Sequence, residues 1–112
     1  MPKLNKLTGV LLEHLKEYHA GQEKAVSSKT LEAAFSIDGR IIRRCISSLR
    51  KEGVPICSGS TGYYYAKTQE EINETIEWLN RLITKVSNSK NGLLSANVQN
   101  NPHISIEIIL SI

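Results

Sequence analysis

The sequence predicts a small α+β domain, mainly α, in which three helices lead into a β-hairpin and a long fourth helix follows. Two observations carry this. Apolar residues recur every three or four positions in four separate segments, as on helices with one buried face. Between the third and fourth segments the period drops to two on either side of the turn-rich "SGSTG", as in a hairpin. With 112 residues, 40% hydrophobic and 22% charged, the chain suits one core and a tail and is too short for two cores. The expected division is a domain over residues 1–67, an amphipathic helix over 68–88, and a linker with a terminal strand over 89–112.

The first helix is expected from about Leu4 to Tyr18, where Leu4, Leu7, Leu11, Leu15 and Tyr18 recur at spacings of three and four. Its two histidines, His14 and His19, read as surface residues. "HAGQEKAVSS" then breaks the pattern, and Ser27 or Ser28 caps a short helix through "KTLEAAF", with Leu31, Ala34 and Phe35 inward. Three residues, "SID", join it to the next helix, and two short helices joined this closely are the signature of a helix-turn-helix.

That next helix is "DGRIIRRCISSLRKEG", residues 38–53. At about 100° per residue, Ile41, Ile42, Cys45, Ile46 and Leu49 fall within an arc of roughly 140°. Arg40, Arg43, Arg44, Ser47 and Lys51 gather around the opposite direction, so the helix has an apolar inside and a cationic outside. Asp38 is placed to cap its start and Gly53 to end it. Residues 27–53 hold six Lys or Arg (29, 40, 43, 44, 50, 51) against three acids (32, 38, 52), so the net charge of +3 is concentrated here.

"VPICSGSTGYYYA" reads as two short strands around a turn, with Pro55 at a strand start. Alternation sets Tyr63 and Tyr65 on one face, expected to pack, and Tyr64 on the other, expected to be the freer. "TQEEINETIEWLNRLITKVSN" opens with a Thr68/Glu71 capping box. Ile72, Ile76, Leu79, Ile83 and Val86 then keep a four-three-four-three spacing within an arc of about 80°, the width of a coiled-coil seam, with Trp78 and Leu82 beside it. Such a stripe suits either a second copy or its own domain. From Ser87 to Pro102, Asn, Ser and Gly suggest a linker, and "HISIEIILSI" alternates like a strand in need of a partner edge.

No run of eighteen apolar residues and no charged-then-apolar leader is visible, so a cytoplasmic protein that does not span a membrane is expected. Cys45 and Cys57 lack metal-ligand spacing and read as reduced, Cys45 as a core residue. With no phosphate loop, no paired His and carboxylate motif and no ligand spacing among His14, His19 and His103, neither enzyme activity nor a metal, cofactor or small-molecule ligand is expected.

The order helix, helix, turn, basic helix, hairpin is that of a winged helix-turn-helix. "SSKTLEAAFSIDGRIIRRCISSLRKEGVPICSGSTGYYYA" resembles the N-terminal DNA-binding domain of biotin-repressor-type regulators, whose recognition helix ends in Leu-Arg-x-x-Gly and whose wing closes with Gly-Tyr. Residues 7–66 carry the resemblance. "PICSGSTGYYYAKTQEEI" is also similar to small winged-helix proteins of phages and prophages of Gram-positive bacteria. The resemblance implies binding to double-stranded DNA and no ligase activity. It matches Arg40, Arg43, Arg44 and Ser47 to the groove-facing side of the recognition helix and Ser58 to Gly62 to the wing tip. An Arg can hold guanine O6 and N7 in a bidentate contact, whereas Lys29, Lys67 and the wing hydroxyls of Ser58, Ser60 and Thr61 suit phosphates. Lys51 and Tyr64 complete the expected DNA-binding set. Three functions follow as expectations: a dimeric transcriptional regulator, with Ile72, Ile76, Leu79, Ile83 and Val86 as the dimer seam; a phage or prophage replication or packaging accessory; or a winged helix used as a protein-interaction module.

Overall fold

The computed structural model describes residues 2–96, with side chains from Lys6 onward. The expected terminal strand lies outside the described residues. The order is α1 (Pro2–Tyr18), a 3-10 turn (Gln22–Lys24), α2 (Ser28–Phe35), α3 (Gly39–Lys51), β1 (Ile56–Gly59), β2 (Gly62–Tyr65) and α4 (Gln69–Ser95). The chain is mainly α with a two-stranded antiparallel hairpin, and three helices followed by that hairpin make a winged-helix-like arrangement. It forms two compact units divided between Thr75 and Ile76.

In the first unit the helix ends lie where their capping chemistry puts them. The Ser27 side chain accepts from the Thr30 N–H at 3.1 Å and Asp38 Oδ1 from the Ile41 N–H at 3.1 Å, each satisfying a first-turn donor that has no partner within the helix. Ser36, left-handed at φ 53°, ends α2, and Gly53 at φ 87° follows α3. The Thr68 hydroxyl accepts from the Glu71 N–H at 3.1 Å and the Glu71 carboxylate from the Thr68 N–H at 3.3 Å, closing the capping box.

Leu11, Leu15, Val26, Leu31, Ile42, Cys45, Ile46, Leu49 and Ile56 form the core, with Leu7, Leu12, Phe35, Ile37, Ile41, Val54, Tyr63 and Tyr65 packed around it. Two inward expectations fail. Ala34 is exposed, because Leu31 and Phe35 one turn apart already define the buried line of a helix of eight residues. Tyr18 is 57% exposed at the last position of α1, its ring 5.1 Å from that of His14. His14 and His19 are half-buried rather than surface residues. Their Nε2 atoms lie 3.3 Å apart, and His19 Nδ1 is hydrogen-bonded to the Lys24 carbonyl. Burial and the neighbouring His19 hold the His14 imidazole below its usual pKa.

The hairpin pairs Ile56 with Tyr65, Cys57 with Tyr64, Ser58 with Tyr63 and Gly59 with Gly62. The outer edge of β2 is occupied by the segment between α1 and α2. Tyr63 and Val26 exchange two backbone hydrogen bonds at 2.8 Å, Tyr65 N–H donates to the His19 carbonyl, and Gly21 N–H donates to the Tyr65 carbonyl. These are single bridges, at Ala20 and Val26, too short to leave any period in the sequence. They require Gly62: at φ 133°, a Cβ there would lie 2.0 Å from the Val26 carbonyl oxygen.

Tyr64 reverses its expectation. It is 1% exposed, whereas Tyr63 and Tyr65 are half-buried. Alternation does put it on the second face of the hairpin, but that face is covered by the start of α4, where Thr75 is hydrogen-bonded to Ser58. α4 also outruns its expected end. It continues to Ser95, so residues 89–95 are helix rather than linker. Asn, Ser and Gly lower helix propensity by only fractions of a kcal/mol each, up to about 1 for Gly, and Leu93 keeps the spacing of Val86 and Lys90.

A candidate nucleic-acid interface on α3 and the hairpin tip

The α3 stripe is almost fully withdrawn from water: Ile42 and Cys45 are 0% exposed, Ile46 and Leu49 2%. Helical geometry then fixes the rest, because residues opposite a buried stripe must face outward. Arg40, Arg43, Arg44, Ser47 and Lys51 are all exposed. Arg40, Arg44, Ser47 and Lys51 follow one another at spacings of four, three and four, a single row of neighbours along the helix. Arg43 lies beside that row and leans back. Its Nη1 comes within 3.2 Å of the point a Gly39 Cβ would occupy, a space it shares with the Glu32 carboxylate oxygen at 3.3 Å. Arg44 is therefore the less encumbered of the two.

Lys29, Ser60, Thr61 and Lys67 are exposed as well. Lys67 reaches over Gly21, where a Cβ would sit 2.6 Å from its Cδ. Two other expected DNA-contacting residues are turned to structural work. Tyr64 is buried, and burial raises its phenol above the usual range, with Cys57 adding to the shift. Ser58 is half-buried, and its hydroxyl accepts a hydrogen bond from Arg50 Nη2.

Arg50 is the residue that sequence reasoning passed over. It lies at the end of α3 between the apolar and cationic faces, and its Nε donates to the Ile56 carbonyl at 2.8 Å. Burial pulls its guanidinium pKa below the ordinary value, partly offset by Tyr63 and Cys57. Thr75, 5% exposed, was equally inconspicuous. Its hydroxyl lies 3.3 Å from the Ser58 nitrogen and 3.4 Å from the Ser58 carbonyl oxygen. Glu71 accepts from the backbone N–H of Gln22 and of Lys67 at 2.8 and 2.7 Å, besides that of Thr68, and these bonds lower its pKa.

The expected dimer seam divides. Ile72 and Leu79 are half-buried, whereas Ile76 is 48%, Ile83 63% and Val86 67% exposed. In the second unit, Leu82, Ile83, Val86, Ser87 and Lys90 line a shallow apolar groove. Among the described residues no group of three or more His, Cys, Asp or Glu could hold a metal ion, both cysteines are free, and no helix is long and apolar enough to cross a membrane.

Comparison with protein families, with curated proteins and with solved structures gives no match in any of the three.

Proposed function

We propose that the chain binds double-stranded DNA through α3 and the hairpin tip, as a dimeric regulator of the winged-helix kind to which residues 7–66 are similar. One observation carries the reading: a row of Arg40, Arg44, Ser47 and Lys51 stands exposed along a helix whose opposite face is sealed into the core. A helix held this way fits the major groove, where arginines read guanine edges, while the hydroxyls and lysines around it suit phosphates. In this reading the tip residues Ser60 and Thr61 give affinity without sequence preference. The exposed Ile76, Ile83 and Val86 join two copies, so that a two-fold site is held by two recognition helices at once.

The test is fluorescence anisotropy on duplex DNA with Arg43→Ala and Arg44→Ala combined, alongside thermal melting. The expected result is an affinity loss of about tenfold or more with an unchanged melting temperature, and binding of the unaltered protein that weakens steeply with salt. Unchanged affinity in the double variant would remove α3 from the interface.

The exposed stripe of α4 favours a second reading, a winged helix that docks another protein and does not bind DNA. The same titration separates the two, because a protein-docking module ignores duplex DNA even at low salt.

A further inference from the structure

A β-hairpin projecting from a small domain has two outer edges, and each presents backbone N–H and C=O groups that need partners. The outer edge of β2 finds them in the backbone of residues 19–26. The outer edge of β1 is satisfied differently, by two side chains and, at the Ile56 N–H, by the Val54 carbonyl at 2.8 Å. Opposite Tyr63, Ser58 directs its N–H and C=O away from β2, as a non-hydrogen-bonded pair must. The Thr75 hydroxyl meets both groups, accepting from the Ser58 N–H at 3.3 Å and donating to the Ser58 carbonyl at 3.4 Å. Two residues earlier the Ile56 carbonyl also points outward and takes the Arg50 Nε–H at 2.8 Å, while the second arm of that guanidinium holds the Ser58 hydroxyl. All the polar groups of Ser58 are thus spent on Arg50 at the end of α3 and on Thr75 in α4.

We infer that Thr75 and Arg50 are positioning residues that fix the hairpin against α3, so that the tip at Ser60 and Thr61 and the arginine row address one duplex together. The inference rests on the DNA reading above. Arg50 supplies direction, because a planar guanidinium held at two points admits one orientation of the strand. Thr75 supplies closure, because its buried hydroxyl is donor and acceptor for the Ser58 backbone and also meets the Tyr64 phenol on the same side of the hairpin. A hairpin released from either would remain paired to residues 19–26 but pivot on that edge, carrying its tip away from the plane of α3.

Thr75→Val is the decisive variant, since it keeps the shape of the side chain and deletes only the hydroxyl. Losing a buried hydrogen-bond partner should speed exchange of the Ser58 amide hydrogen about tenfold and weaken duplex binding by a similar factor. Thr75→Ser should restore both. The readout that a merely structural role would not move is the dependence on the tip. In a chain whose tip has been replaced by Ser60→Gly and Thr61→Ala, Thr75→Val should weaken binding no further. An equal loss with and without the tip would mean general destabilisation and would overturn the positioning role. So would duplex binding that Thr75→Val leaves unchanged. If the unaltered protein ignores duplex DNA while Ser58 exchange still responds to Thr75→Val, the DNA reading itself falls, and Thr75 is left as a tether with no recognition to serve. Arg50→Lys, which keeps the charge but loses the two-point hold, should reproduce the Thr75→Val pattern; wild-type affinity in that variant would remove Arg50 from the assignment.

Discussion

α3 and the part of α4 beyond Thr75 are both amphipathic helices with apolar residues at three- and four-residue spacing, yet one stripe is sealed and the other is not. Ile42, Cys45, Ile46 and Leu49 are at most 2% exposed, whereas Ile83 and Val86 are 63% and 67% exposed. The helical period reports that a face is built for burial. It does not report where the covering surface comes from. For α3 the cover is local, provided by α1, α2 and β1 within the same unit. The open stripe of α4 is a surface from which water would be expelled by association, and its isolated apolar side chains give the fold little while they remain wet.

Truncating the same residue type on each helix should separate the two stripes by stability. Ile46→Ala should cost about 2 to 5 kcal/mol in urea denaturation, because the lost methylenes leave a cavity in a packed core. Ile83→Ala should stay within about 0.5 kcal/mol at protein concentrations too low for association. Equal costs would mean that the α4 stripe is as buried in solution as that of α3. Next in size is the effect on assembly: Ile83→Glu with Val86→Glu should give a folded monomer where the unaltered chain sediments as a dimer, since a carboxylate in an apolar seam must be desolvated or must break the contact. A monomeric unaltered protein well above micromolar concentration would remove the dimer from the proposal.

The smallest effect tests the end of α4 that is tied down. Backbone hydrogen bonds from Gln22 and Lys67 depress the Glu71 pKa below its ordinary 4.5, so the folded state favours the carboxylate. The resulting stability is fully present above pH 4.5 and is lost as pH falls through the depressed folded-state value. Glu71→Gln should therefore melt lower than the unaltered protein at pH 7, and the gap should close as the solution is acidified through that window. A gap independent of pH would mean that the carboxylate charge plays no part in holding this end.

The sequence made α3 almost wholly legible, since the buried stripe and the exposed arginine row follow from a single rotation angle and Asp38 and Gly53 mark its ends by capping chemistry. The caps at Ser27 and Thr68 were equally readable, because capping is a contact between residues three apart. What escaped was every feature that depends on a distant segment. Tyr64 has the alternation of a free residue until α4 covers it. Ser58 reads as a tip hydroxyl until Arg50 and Thr75 take its polar groups. The partners of β2 at Ala20 and Val26 are one residue each and carry no pattern. The end of α4 is hidden for the opposite reason: Asn, Ser and Gly in residues 87–92 have the composition of a linker, and with Lys90 at a stripe position only Leu93 keeps the helical spacing beyond Val86.

The pairing of residues 19–26 with Tyr63 and Tyr65 also bears on the order in which the chain folds. The helices form from contacts within a few residues, but the backbone groups of His19, Gly21 and Val26 must wait for partners far along the chain. Closing so long a loop costs entropy before any bond repays it, so the three-segment sheet belongs to a late step. A polypeptide still on the ribosome, with Tyr65 not yet out of the exit tunnel, would carry helices and a partial core but an open edge at Val26. Completion of the domain is thus timed by the arrival of the hairpin, and until then that edge is the place where another extended strand can pair in its stead.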